Sequence, residues 1–336
     1  MRYFFLFLIS LCFSILEAQT IRQVESGYKS SIRAVSVVNP SIVWLSGSNG
    51  NFARSTDGGK SWKWTQLKQY KSNDFRGIKA FSAKRAVLMS SGTPGLILYT
   101  EDGGLSWTEA YRNDSKDIFL DGISFYNDRE GLAYGDPING KMQLLRTGNG
   151  GKTWVNISEN LQVKLAEGEA SFAASNTGIT THRDGKTWII TGGSQSRVFY
   201  SADKGGHWEV SVCPVIQGGE SRGPFSVAFY AHKHGIVVGG DYKIDTLRNK
   251  NLVLTQDGGR TWKEPLIRPW GFRSCVVYMN ARLLIATGTS GTDLSQDGGF
   301  TWTNISKDGY HVVAALKDGK TAILAGGDGR IALLDL

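Results

Sequence analysis

Two sets of residues in this chain have types and spacing suited to chemistry. The first is an acidic or amide residue that recurs five positions ahead of a tryptophan: Asp57, Asp102, Asn149, Asp203, Asp257 and Asp297. Carboxylates in such a series read as metal ligands or acid catalysts, or as braces for a turn. The second set falls at one offset, 14 positions before the end of a β-prone run: Arg33 before Gly47, Arg76 before Ser90, Asp121 before Gly135 and Arg273 before Thr287. Arg222, Glu169 and His311 lie near the matching place in other runs. The loops after those runs bring Asp136, Gln195, Asp241 and Asp328. Guanidinium groups gathered near one axis repel one another unless something anionic is present, and they suit bidentate capture of carboxylates. The competing reading pairs them internally with Asp121, Glu169, Asp136 and Asp241 as a brace, and both readings stay open.

The elements that must position these residues come from one stretch written six times. Ser55-Thr-Asp57-Gly58-Gly59-Lys-Ser61-Trp62 returns around Trp107, Trp154, Trp208, Trp262 and Trp302, at intervals of 45, 47, 54, 54 and 40 positions (107−62, 154−107, 208−154, 262−208, 302−262). Such a period marks a repeat architecture. Each copy lies between two short apolar, β-prone runs, so Asp-Gly-Gly reads as a hairpin turn in which glycine supplies positive φ. The Asp carboxylate and the Ser/Thr hydroxyls are placed to bond the turn's own amides. The tryptophan is expected to bury against the neighbouring repeat with its indole N–H satisfied locally. Six equivalent outward-pointing turns cannot all be one active site, which favours the brace.

Around each turn the chain reads as four strands, A to D. In the first repeat these are Ala34–Val38, Ile42–Leu45, Asn51–Arg54 and Lys63–Gln66; the fourth repeat has strand A at Ser171–Ala174. The seventh unit has A, B and C at Val312–Leu316, Thr321–Leu324 and Arg330–Leu334 but no D. The segment Thr20–Glu25 is the missing piece. Pairing the ends would close an all-β ring of seven four-stranded antiparallel blades and remove its exposed sheet edges. In that geometry strand A lines the channel, and the strand-A starts and B–C loops share one rim. The Asp-turns occupy the other. Only Ser158–Glu169 suggests a helical turn.

With 42 glycines and 7 prolines in 336 residues, the composition suits many tight turns in one large domain. The formal charge of +8 is spread without a basic run, so acidic partners are favoured in general and nucleic acid is not expected. Residues 1–18 have the shape of a secretory signal peptide cleaved after Ala18, which leaves one domain over 19–336. The apolar run is too short to span a membrane. A lipid anchor at Cys12 is disfavoured by Leu11 before it. Cys213 and Cys275 are expected to be separate buried thiols, and their spacing offers no metal site. No dinucleotide-binding Gly-x-Gly-x-x-Gly stands between a strand and a helix, so no cofactor is expected.

The Ser/Thr-X-Asp-X-Gly-X-Thr/Ser-Trp pattern resembles the Asp-box, or bacterial-neuraminidase repeat. Asn149 and His207 are departures from it. With strand-A starts such as Asp74-Phe75-Arg76-Gly77-Ile78 and loops such as Leu45-Ser46-Gly47-Ser48-Asn49-Gly50, the plan resembles the photosystem II stability/assembly factor-like family of exported seven-bladed propellers. The resemblance implies binding of a protein or peptide partner through an arginine-rich patch, with Arg33, Arg76 and Arg273 as the matching positions. The reading is an exported, monomeric, non-enzymatic module that captures an acidic peptide or protein segment. Its rival is a sialidase-like glycoside hydrolase acting on an acidic glycan, with acids from Asp136, Asp241 and Glu169 and Tyr242 as nucleophile. Against it, the early Arg-Ile-Pro motif of sialidases is missing, and seven blades are counted rather than six.

Overall fold

A computed structural model describes residues 19–336. The expected signal peptide over 1–18, and Cys12 with it, lie outside the described residues. Seven antiparallel sheets follow one another around a ring. Blade 1, for example, runs Ile32–Val37, Val43–Gly47, Asn51–Ser55 and Lys63–Gln66 from the inside out. Burial in its inner strand alternates strictly, as period-2 geometry requires when one face packs on a neighbouring blade. Blade 5 departs from four full strands: beyond Leu252–Thr255 its outer strand shrinks to one bridge, Leu254 to Lys263.

The ring closes as the sequence implies. Thr20–Val24 pairs antiparallel with Ile331–Asp335, from Thr20 opposite Asp335 to Val24 opposite Ile331. Arg22 adds a bond to Asp335 at 2.9 Å, and Gln23 donates to the Tyr310 hydroxyl at 2.8 Å. Deleting Thr20–Val24 leaves the edge of Ile331–Asp335 open. The expected result is a melting temperature lower by roughly 5–10 °C and concentration-dependent association in size-exclusion chromatography. A monomer with an unchanged melting curve would show that closure contributes little.

Each Asp-box tryptophan packs on the blade before its own. Trp107 of blade 2 meets Phe52 of blade 1 edge-on at 5.3 Å, and Trp302 of blade 6 joins Ile236, Val238 and Leu252 of blade 5. The indole expectation holds for half of them. Trp154, Trp208 and Trp302 donate to the carbonyls of Gly151, Gly205 and Gly299, whereas the indole nitrogens of Trp62, Trp107 and Trp262 are buried without a partner.

Blade 4 differs most from expectation. Ser171–Ala174 is not a strand; the inner position is shared by two fragments, Glu169–Ala170 and Ile179–Thr181. The residues between them leave the blade and cross the channel. Ser175 donates to the Ser274 carbonyl at 2.7 Å in blade 6, and Asn176 Oδ1 accepts the Ile123 N–H at 2.8 Å in blade 3. Thr177 donates to Ser226 at 2.7 Å in blade 5. The polar side chains 175–177 thus find partners on three blades instead of one ladder, which is why this stretch does not run as a strand. Its departure lets blades 4 and 5 meet directly: a Cβ on Gly192 would lie 2.9 Å from the Gly223 Cα, so a side chain is excluded there. Ser158–Asn160 forms one 3-10 turn, and Cys213 and Cys275 are separate and buried.

Candidate functional site

Because the crossing segment plugs the channel, one end becomes a closed cup. The cup, about 420 Å³, is lined by Arg33, Arg76, Asp136, His311, Ser274 and an aromatic group, with Ala173 and Ala174 of the plug in its wall. One backbone device aims the side chains. The inner strands of blades 1, 2, 3 and 5 each slip register by one residue at the rim, at Arg33, Arg76, Asp121 and Phe225. A bulge of this kind leaves one residue out of the ladder and re-aims its side chain.

The same register corrects the sequence reading of blade 6. Cys275 pairs with Thr287, as Ala34 pairs with Ser46. The residue matching Gly47 is therefore Gly288, and counting back gives Ser274 (288−274 = 14, as 47−33 = 14). Ser274 lines the cup; Arg273, one residue earlier, turns into the blade. Its guanidinium is fully buried and paired with the equally buried Asp293 at 2.5 Å. Arg222 pairs with Asp241 at 2.9 Å, and Glu169 is held by Arg197 at 2.5 Å and by the Thr191 hydroxyl at 2.5 Å. For Arg222, Arg273, Glu169 and Asp241 internal pairing is what the structure shows, although Asp293 and Arg197 were not the expected partners. Asp121 lies beneath the cup, fully buried, with both carboxyl oxygens unpartnered. Burial, and then the nearby Asp136, push its carboxyl well above the ordinary range, with Arg76 opposing.

Arg33 and Arg76 remain at the cup. Arg76 bonds Asp74 at 2.8 Å and reaches the Ala173 carbonyl at 3.4 Å. Arg33 has no ion-pair partner among the described residues, and its Nε is buried without a hydrogen bond. Burial first, then the Arg76 charge, lower its pKa from the ordinary value, with Asp74 opposing. His311, in blade 7, donates through Nδ1 to the Ile32 carbonyl at 3.0 Å. Burial, followed by the Arg33 charge, brings its imidazole down to about 4, so it is neutral near pH 7. Asp136 is the carboxylate of the lining; it accepts the Ser171 N–H at 2.8 Å, yet burial raises it to about 6. The native state therefore holds this proton more tightly than the unfolded chain. Its contribution to stability is present below about pH 4 and is lost as pH rises through 6.

Opposite the arginines stands an apolar wall that the sequence reading missed. Phe172 and Phe225 stack at 4.0 Å, and Phe272 meets Phe225 edge-on at 4.7 Å with Tyr242 beyond. The cup is cationic on the side of blades 1 and 2 and aromatic on the side of blades 4 to 6.

The Asp-box turns lie on the other rim and use their own oxygens. Asp57 Oδ1 accepts the Ser55 hydroxyl and the Ser61 N–H at 2.7 and 2.9 Å, while Oδ2 accepts the Ser61 hydroxyl at 2.6 Å. Asp102, Asp257 and Asp297 repeat the pattern. Asn149 keeps it by donating from Nδ2 to Thr153 at 2.9 Å, and in the fourth copy the His207 ring contacts Asp203 at 2.5 Å. For Asp257, partial burial is outweighed by the Thr261 and Thr255 bonds, which hold the carboxylate down at about 2. In each copy the acidic or amide group is thus engaged by its own turn.

Fold and cup together define a seven-bladed Asp-box propeller closed at one end over an amphiphilic, cationic mouth. The model of the family described as "Photosynthesis system II assembly factor YCF48" matches residues 14–116. A curated relative, "Photosystem II assembly lipoprotein Ycf48" of Synechococcus sp. (strain CC9902), is 23% identical over 261 residues, covering 68% of this chain and 73% of the relative. Among solved structures, "YCF48 bound to D1 peptide" superposes with a TM-score of 0.67 at 15% identity, covering 95% of this chain and 96% of that one. YCF48 from Cyanidioschyzon merolae gives 0.65 at 16% identity, covering 94% and 98%. A GH74 xyloglucanase from Xanthomonas campestris gives 0.62 at 18% identity, covering 94% of this chain but 53% of that enzyme. The structural likenesses share the fold. The chain is similar in sequence and architecture to the photosystem II assembly factor-like propellers, as its repeats indicate.

Proposed function

We propose that this chain is an exported, monomeric, non-enzymatic binding propeller whose cup captures an acidic peptide or protein segment. Arg33 carries the reading: a largely buried guanidinium beside Arg76, without a carboxylate partner among the described residues, opening onto a cup of peptide side-chain size. Placing such a cation costs stability, and an incoming carboxylate offsets that cost. The aromatic wall would take the apolar neighbour of that carboxylate. A peptide ligand accords with the YCF48 structure solved bound to D1 peptide, and export accords with the Synechococcus relative being a lipoprotein.

Titration calorimetry with short peptides ending in an apolar residue and a free carboxylate, against their C-terminal amides and Asp/Glu-bearing versions, tests the proposal. As pH falls from 7.5 towards 5.5, Asp136 loses most of its charge while His311 stays neutral. Capture of the carboxylate peptides should tighten roughly three- to tenfold over that window, and Asp136→Asn should remove the slope. Equal affinity for acids and amides, or a slope of the opposite sign, would refute the assignment. Turnover of chromogenic glycosides that vanishes in Asp136→Asn would replace it with a hydrolase.

A further inference from the structure

On the Asp-box rim, the turns joining the inner two strands of blades 4 and 5 bring together His182, Asp184 and His232. Their ligating atoms all lie within 4.8 Å of one another. The blade-4 turn is tight, with the His182 N–H bonded to the Lys186 carbonyl at 2.8 Å and the Gly185 N–H to the His182 carbonyl at 3.0 Å. This fixes His182 and Asp184 on one loop. Across the blade boundary, Asp184 Oδ2 stands 3.4 Å from His232 Nε2. Tetrahedral zinc, with ligands about 2.0–2.1 Å away, requires ligand atoms about 3.4 Å apart, so this edge is already at the needed length.

The His182 ring is held between two neighbours: it meets Trp188 edge-on at 5.4 Å and lies 5.1 Å from the His232 ring. Lys186 contacts Asp184 and would have to swing away. A hollow of about 360 Å³ opens beside the cluster, bordered by His232, Lys186, Trp188 and Tyr200 but not by His182 or Asp184.

We infer that His182, Asp184 and His232 form a divalent-metal site of the zinc class that ties blade 4 to blade 5. The two histidines are 50 positions apart (232−182), so no ligand spacing in the sequence announces the site. The tie falls between the two least regular blades, one with a broken inner strand and one with a vestigial outer strand.

The test uses the tag-free chain, stripped with chelator and titrated with ZnCl2 by calorimetry and with CoCl2 by visible absorption. One equivalent of Zn2+ should bind, with tetrahedral cobalt bands and a raised melting temperature. His182→Gln and His232→Gln should each weaken uptake by roughly tenfold or more, with unchanged circular dichroism. Lys186→Ala should not weaken it, and His207→Ala, at the separate Asp203 pair, should leave it intact. Wild-type uptake no greater than that of the His182→Gln/His232→Gln double variant overturns the assignment, as does uptake lost only in His207→Ala.

Discussion

Arg33→Met should make the protein more stable and unable to hold its ligand. The two effects have one cause. Arg33 lies in a largely buried position beside a second guanidinium, without a carboxylate and with an unbonded Nε. Methionine keeps the length of the apolar stem and removes the charge, so a gain of about 1–2 kcal/mol is expected, roughly 2–6 °C in melting temperature. Capture of a carboxylate peptide should weaken roughly 10- to 100-fold, the size of a lost charge-assisted hydrogen bond. A side chain kept for architecture would give the reverse: a lower melting temperature with binding retained. Arg76→Met should weaken binding without the stability gain, because it strands Asp74.

Asp293→Ala should be the most damaging single change. Arg273 and Asp293 are both fully inaccessible to solvent. Arg273 Nε donates to Asp293 Oδ2 at 2.6 Å, its Nη1 donates to the Phe272 carbonyl and Ser290 Oγ, and Asn304 donates to Asp293 Oδ1 at 3.2 Å. Removing the carboxylate strands a cation in a dry interior at a cost of about 3–5 kcal/mol, a large part of the stability of an ordinary domain. Denaturant unfolding measures the loss. The double change Asp293→Leu with Arg273→Met should restore most of it and still capture peptide, because Arg273 faces the blade. Loss of capture in the stable double variant would return Arg273 to the binding set.

The architecture was legible because it rests on local chemistry repeated six times and on one pattern match, Thr20–Glu25 to the missing outer strand. The site was half legible. Arg33 and Arg76 follow from counting back 14 positions from the end of a β-prone run, but the same count in blade 6 started from Thr287, one residue too early. Only cross-strand pairing, a long-range fact, decides for Gly288 and hence Ser274. Phe225 holds the bulge position of blade 5, yet an apolar residue opening a strand reads as core. The plug was hidden for a related reason: Ser171–Ala174 has the composition of a weak strand, and what diverts it is bonding by 175–177 to three other blades, through residues 49 to 99 positions away.

Ring closure bears on how the molecule is made. The two strands of blade 7 that meet at Arg22 and Asp335 are 313 positions apart. At 5–20 residues per second the first must wait roughly 15–60 s for its partner to be synthesised. Throughout that interval a nascent chain carries an unmatched strand, open to a holdase or to a neighbouring nascent copy. Closing the ring is therefore a long-range event, the meeting of two ends 313 positions apart rather than the addition of a blade.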